Sequence, residues 1–146
     1  MRKSRLILIG VLSLLLIIGA VVALLYLYGF YISRPHYDAE YFTQEYLSKY
    51  SSPEDTYDHF LSAWISGNAD YYQEVLGRRM TEYERGLFKP YKEKRPKIVA
   101  QEKRKNSVFV ITEYNEGWFF ERVNGRWVFT PEDLGANIRG LFEHYF

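Results

Sequence analysis

The sequence contains no cysteine, and this absence excludes several kinds of protein at once. A chain without thiols has no disulfide scaffold, no cysteine-ligated zinc or iron–sulfur cluster and no thiol nucleophile. Histidine is scarce as well: His36, His59 and His144 are the three in the chain, and their spacing matches no metal-ligand motif. We therefore predict no metal site and no cofactor.

The chain also lacks an excess of charge of either sign. It has 19 basic and 18 acidic residues, so its formal net charge is +1. Nucleic-acid binders usually carry a basic excess, and disordered tails usually carry one sign of charge. Nothing in the sequence resembles a nucleophile elbow, a phosphate-binding loop or a paired-carboxylate motif. We expect no nucleic-acid partner and no catalytic residues.

What the chain does contain is one long uncharged apolar run, Leu6 to Ile32. As a helix it would cover about 40 Å, enough to cross about 30 Å of hydrocarbon. Arg2, Lys3 and Arg5 precede the run, while Arg34 is the only basic residue that closely follows it. This asymmetry predicts a cytoplasmic basic tail at 1–5, a transmembrane helix at 6–32 and an extracytoplasmic remainder. The expected location is the cell membrane, as a single-pass protein.

A cleaved signal peptide is the alternative interpretation of this run. The apolar region of a signal peptide is about 7–15 residues long and is followed by a small-x-small cleavage site. The run in this chain is longer and ends in Tyr-Gly-Phe-Tyr-Ile. These features favour a retained anchor. Gly19 and Ala23 form a small-xxx-small pair that is compatible with close packing of two such helices.

Helical signals follow the run. Residues 33–51 form a predicted juxtamembrane connector and a helix that starts at Asp38 and ends near Tyr50. Ser52 before Pro53 begins a second helix. Five apolar residues recur every three or four positions and should therefore form one buried face of this helix: Tyr57, Phe60, Leu61, Trp64 and Ile65. Gly67 ends this helix, and two shorter helices begin after Asn68 and Thr81.

After Pro96 the apolar period changes to two, which indicates strands. Four runs rich in β-branched and aromatic residues lie at 97–103, 107–114, 118–123 and 126–130. Asn124-Gly125 is a strong signal for a two-residue hairpin. We predict an α+β fold with helices packed on a curved antiparallel meander sheet of about four strands.

A last helix is predicted after Thr130-Pro131-Glu132-Asp133. Its apolar stripe comprises Leu134, Ile138, Leu141, Phe142 and Tyr145. A short isolated helix is marginal in water, so we expect this stripe to fold back on the sheet. Docking on another chain is the alternative.

Two segments resemble the nuclear transport factor 2-like family. The segment SPEDTYDHFLSAWISGNADYYQEVL of this chain resembles the opening helices of that family. The segment GWFFERVNGRWVF resembles the family's closing hairpin. The resemblance implies that residues 52–146 form an extracytoplasmic domain whose curved sheet wraps a helix as a cone with a pocket. Members of the family include small enzymes, protein-binding modules and membrane-tethered assembly subunits. The final helix departs from the family pattern.

The resemblance also implies where a pocket would lie. The candidate pocket residues are Tyr57, His59, Tyr72, Trp118 and Trp127. Family enzymes place Asp, Tyr or His in the cone, so Asp58 and Tyr71 join this set under an enzymatic interpretation. Asp58 and His59 are neighbours on one helix and should diverge by about 100°, so they cannot both point into one pocket.

Charge is distributed unevenly along the chain. From Arg78 to Lys105 there are eleven basic and four acidic residues, whereas the preceding helices are acidic. These charges either neutralise the acidic helices of the same domain or form a basic interaction surface. The candidate surface residues are Arg78, Arg79, Lys103, Arg104 and Lys105. The function predicted from sequence is a non-enzymatic interaction or assembly domain in a membrane complex, with a protein partner or a second copy. The alternative is a small-molecule binding module.

Overall fold

The computed structural model describes residues 2–92 and 94–146. These residues form two compact units. The helical unit comprises the chain up to Arg34 together with Asp133–Phe146, and the α+β unit comprises Pro35–Glu132. The predicted fold class is confirmed: an apolar N-terminal helix, further helices, a four-stranded antiparallel sheet and a C-terminal helix. The units divide after Arg34, two residues beyond the predicted end of the transmembrane helix at Ile32.

The helical unit contains α1 (Arg2–Leu27), a π-helical turn (Tyr28–Ile32) and α6 (Leu134–Tyr145). In the part of the chain that the structure describes, the helix Arg2–Ile32 is the one helix long and apolar enough to cross a membrane. None of the residues of α1 is buried. Helix α6 contacts both α1 and the π-helical turn.

The expectation for α6 was wrong about which residues are buried. Three members of the predicted stripe, Leu134, Leu141 and Tyr145, are exposed. The buried residues of α6 are three small ones, Gly135, Ala136 and Gly140, together with Ile138 and Arg139. The helix also belongs to the unit of α1, whereas we expected it to pack on the sheet. Its N-cap is Asp133, which accepts a hydrogen bond from the Ala136 amide at 2.7 Å.

The helices of the α+β unit are short except for one. They are a 3₁₀ turn (Ala39–Phe42), α2 (Gln44–Lys49), α3 (Pro53–Ser66), α4 (Ala69–Leu76) and α5 (Glu82–Leu87). The predicted caps are confirmed at Ser52, Asn68 and Thr81, each of which accepts a backbone N–H. The single helix predicted from Asp38 to Tyr50 is interrupted, because Thr43 has an extended backbone (φ −70°, ψ 164°) and caps α2.

The sheet contains β1 (Ile98–Lys103), β2 (Ser107–Thr112), β3 (Gly117–Val123) and β4 (Arg126–Thr130) in the order β1-β2-β3-β4. Asn124 and Gly125 have φ of 45° and 89°, as a tight β3–β4 hairpin requires. At one edge of the sheet, the Trp127 amide donates to the Tyr50 carbonyl at 2.9 Å. At the other edge, every residue of β1 is exposed.

Aromatic side chains fill the space between α3 and the sheet. Phe120 lies opposite Phe129 in the β3–β4 register, so their side chains share one face. Phe60 of α3 is fully buried and stacks on Phe129 with ring centroids 4.2 Å apart. Trp118 packs edge-on against Phe60 at 5.2 Å. This face of the sheet is therefore an aromatic core.

Candidate functional site

Three residues of the predicted pocket belong to this core. Tyr57, Trp118 and Trp127 are each less than a tenth exposed. The Tyr57 hydroxyl donates to the Pro96 carbonyl at 3.3 Å, and burial raises the pKa of Tyr57. The void between α3 and the sheet, which Tyr57 and Phe120 help to line, measures about 20 Å³. That volume suits a water molecule and is far below the size of a ligand pocket.

His59 lies apart from these three residues. Its Nδ1 forms a hydrogen bond with the Tyr71 hydroxyl, and its ring packs against Tyr50 with centroids 5.1 Å apart. Burial, together with nearby Lys49, lowers the pKa of His59 below that of a free histidine, so the ring is neutral at pH 7. Asp58 pairs instead with Arg95, which confirms that these neighbouring side chains diverge.

A buried arginine of β4, not predicted from the sequence, links the 3₁₀ turn to α4. Arg126 donates to the Tyr41 carbonyl at 2.8 Å and to the Glu74 carbonyl at 2.6 Å. Its guanidinium lies 4.0 Å from the centre of the Tyr50 ring. Burial lowers the pKa of Arg126 to about 10, so it stays charged at neutral pH. The only signal in the sequence was an arginine directly after the hairpin glycine, which gives no hint of burial.

An open groove lies beside the core, where α3 and α4 meet the segment that follows α5. Four half-buried aromatic side chains line it: Trp64, Tyr72, Phe88 and Tyr91. Its volume is about 460 Å³, and its other lining residues are Leu87, Lys89, Pro90, Lys92 and Glu116. Of the predicted pocket residues, Tyr72 alone lines this groove. Burial raises the pKa of Tyr72 to about 12.

Hydrogen bonds and ring contacts hold the groove in shape. The Trp64 indole N–H donates to the Lys89 carbonyl at 3.0 Å, and the Tyr91 amide donates to the Trp64 carbonyl at 3.0 Å. The Tyr91 hydroxyl donates to Glu116 Oε2 at 2.6 Å. The rings of Trp64 and Tyr91 lie 4.6 Å apart, and those of Tyr72 and Phe88 lie 4.7 Å apart. The aromatic surface is therefore preorganised rather than assembled on binding.

Most of the predicted basic surface is neutralised within the α+β unit. Arg78 pairs with Glu84 at 2.9 Å, and this hydrogen bond lowers the pKa of Glu84 to about 2. Three more of its members form ion pairs: Arg79 with Glu40, Lys103 with Glu54 and Arg104 with Glu102. Two of these carboxylates, Glu40 and Glu54, belong to the acidic region that precedes the basic segment, while Glu84 and Glu102 lie within the segment itself. The pairs favour internal neutralisation over a free basic surface.

Lys89 and Lys92 differ from these residues. Both are exposed at the rim of the groove, and neither forms an ion pair with any other residue that the structure describes. Lys105 of the predicted basic surface, away from the groove, likewise forms no ion pair with any residue that the structure describes. A bound carboxylate would therefore not have to displace an internal partner from Lys89 or Lys92.

The sequence analysis missed the groove because it assigned Trp64 and Ile65 to a fully buried helix face. Trp64 is half-buried and Ile65 is 39% exposed. The usable signal was Phe88-Lys89-Pro90-Tyr91, two aromatic residues and a proline at the end of a helix. Comparison of the chain with family models, with curated proteins and with solved structures finds no match. Among the described residues, no three His, Asp or Glu side chains are grouped as a metal site would require.

Proposed function

We propose that this chain is a membrane-anchored, non-enzymatic interaction domain, a small subunit or adaptor of a membrane complex. The observation that carries the proposal is the open aromatic groove flanked by Lys89 and Lys92. Tyr and Trp are enriched at protein interfaces because they offer large contact areas and few rotatable bonds. The two lysines favour a partner segment that combines apolar side chains with carboxylates. A fold of the nuclear transport factor 2-like type is part of the proposal.

The anchor in this proposal is α1, and the contacts of α6 support its retention. Arg139 is buried and donates to the Gly29 carbonyl at 2.7 Å. Cleavage of α1 as part of a signal peptide would take away a partner of this buried charge, which is costly. The basic residues before the apolar run favour a cytoplasmic N-terminus and an extracytoplasmic α+β unit in the cell membrane.

Two features argue against an acid–base enzyme. The Asp and His of the enzymatic interpretation diverge, since Asp58 pairs with Arg95 while His59 bonds to Tyr71. Tyr57 lies in a filled core beside a void of about 20 Å³. A substrate would have no space beside Tyr57, whereas a protein segment needs only a surface groove.

A small-molecule ligand is the second candidate for the groove. Its volume of about 460 Å³ lies within the usual range of ligand pockets, about 300–1,000 Å³. Glu116 and the Tyr91 hydroxyl supply polar groups beside the rings. A ligand of this kind would combine an aromatic or apolar body with an anionic group.

Photo-crosslinking in native membranes tests the proposal. A photoreactive amino acid at Leu87, which lines the groove, should give a discrete protein adduct, whereas one at exposed Tyr83, outside it, should not. Charge reversal of the rim, Lys89→Glu with Lys92→Glu, should abolish the adduct.

The matched control is Lys97→Glu with Lys105→Glu, which changes the net charge equally away from the groove. An adduct that survives reversal at the rim, or that is lost equally in the control, would contradict groove-mediated binding. A low-molecular-mass adduct at Leu87 would favour the small-molecule alternative.

A further inference from the structure

Helix α6 runs antiparallel to the C-terminal part of α1. At its start, Gly135 lies against Ser33, leaving no space for a Cβ. One turn later, Arg139 donates to the Gly29 carbonyl. The Phe142 ring then meets the Tyr26 ring with centroids 5.4 Å apart. Successive turns of α6 thus contact Ser33, then the π-helical turn and then α1, in the reverse of chain order.

The last turn of α6 reaches the middle part of the apolar run. Phe142 and Phe146 line a groove of about 560 Å³ together with α1 residues that include Gly19, Val22 and Ala23. A hydrocarbon layer takes about 20 helical residues. Every stretch of 20 residues or so within Leu6–Ile32 contains these three. If α1 spans a membrane, Gly19, Val22 and Ala23 therefore lie in the hydrocarbon for every placement of the span, and the groove that they share with Phe142 and Phe146 reaches into it.

The exposure pattern of α6 suits lipid rather than water. Apart from Asn137 and His144, the exposed side chains of α6 and of Phe146, which follows it, are large and apolar: Leu134 is 64% exposed, Leu141 58%, Tyr145 71% and Phe146 90%. Two glycines allow the close approach, since an added Cβ on Gly29 would lie less than 3.0 Å from Ile138 and one on Gly135 less than 3.0 Å from Ser33. Close approach through small residues, with large apolar residues outward, is typical of helix pairs in membranes.

Arg139, the buried charged residue of this pair, has hydrogen-bond partners within the protein. In the π-helical turn the Ser33 amide donates to the Tyr28 carbonyl, which leaves the Gly29 carbonyl free to accept from Arg139 at 2.7 Å. Glu143 and His144 also have interaction partners within the protein. Internal partners of this kind make polar residues tolerable at membrane depth.

We infer that α6 is a re-entrant helix that lies beside α1, in the leaflet that holds the C-terminal half of α1. The partner of its exposed side is the acyl region of the bilayer. Both ends of the α+β unit then continue into membrane-embedded helices. The inference rests on the proposal that α1 spans the membrane.

Site-directed spin labelling of the full chain in lipid vesicles tests this. Because the chain has no cysteine, each substitution supplies the only thiol. Labels at Leu141→Cys and Tyr145→Cys report on α6, a label at Ile17→Cys reports on α1, and a label at Tyr83→Cys reports on water. Collision with oxygen, which concentrates in lipid, is compared with collision with a water-soluble nickel chelate.

We expect both α6 labels to behave like the label at Ile17. Their collision rate with oxygen should be higher, and their collision rate with the nickel chelate lower, than those of the label at Tyr83. If Ile17 is in lipid while the α6 labels match Tyr83, the re-entrant helix is wrong and the anchor stands. If Ile17 itself matches Tyr83, the anchor fails, and with it the re-entrant helix. A disulfide between Ala23→Cys and Phe142→Cys checks the helix pairing without a bulky label. If this disulfide does not form under conditions that oxidise a control cysteine pair efficiently, the antiparallel placement of α6 is wrong.

Discussion

The two units of this protein distribute side-chain size in opposite ways. In the α+β unit the large rings point inward, with Phe60 and Phe120 fully buried. In the helical unit most large apolar residues point outward, with Ile138 as a buried exception, and Gly29 and Gly135 lie where the helices approach most closely. Burial of apolar surface is favourable in water, whereas in lipid an exposed leucine has about the same free energy as a buried one. This difference supports the proposal that the helical unit lies in lipid while the α+β unit lies in water.

The largest effect that would sharpen this comparison is expected in the aromatic core. Phe60→Ala leaves a cavity between Trp118, Phe120 and Phe129 and should destabilise the α+β unit by about 3–5 kcal/mol. Denaturant unfolding of the full chain in detergent measures this. The control is Leu16→Ala on α1, where the side chain is 75% exposed and a negligible change is expected. Equal losses at the two positions would break the comparison.

An intermediate effect is expected where the two helices meet. A Cβ on Gly29 would lie 2.8 Å from Ile138 Cγ2, so Gly29→Val should weaken the contact by about 1–3 kcal/mol. The rate of disulfide formation between Ala23→Cys and Phe142→Cys measures the contact. Gly10→Val is the matched control, because nothing lies within 4 Å of a Cβ on Gly10. An unchanged rate in Gly29→Val would contradict close packing at the π-helical turn.

The smallest effect concerns pH and should be confined to the α+β unit. Burial lowers the pKa of His59 in the folded chain, so protons bind the unfolded chain more readily. The stabilisation is complete above the unfolded pKa of about 6.5 and is lost as the pH falls through that value toward the lower folded pKa. His59→Gln should therefore flatten the fall in unfolding free energy between about pH 7 and pH 5.

Tyr71→Phe provides the control for this prediction. It removes the hydrogen bond to His59 but leaves the ring buried, and burial is the main cause of the lowered pKa. The fall in stability should persist in Tyr71→Phe. Identical slopes in the wild-type chain and in His59→Gln would show that His59 does not couple folding to pH.

Local features were predictable because their causes are local. Ser52, Asn68 and Thr81 cap helices through hydrogen bonds that span three residues. Asn124-Gly125 forms the hairpin because these residue types tolerate positive φ. The strand order followed from short connections, which favour neighbouring antiparallel strands.

The candidate site was far less predictable. Trp64 carries the apolar spacing of a core residue, yet it is half-buried and helps to form the open groove. Arg126 is a charged residue that is fully buried, because carbonyl groups from two separate segments converge on it. Neither outcome can be derived from residues near them in the chain, since the deciding neighbours are distant in sequence.

The apolar helix, the α+β class, the helix caps and the hairpin follow from the amino-acid sequence, because propensity, capping and periodicity act over a few residues. The neutralised basic residues, the position of the aromatic groove and the packing of α6 on α1 depend instead on contacts between distant parts of the chain. Arg79 and Glu40, for example, form an ion pair although 39 residues separate them along the chain. Such contacts depend on how whole elements pack, and packing is settled by the shape and polarity of surfaces that no short stretch of sequence contains.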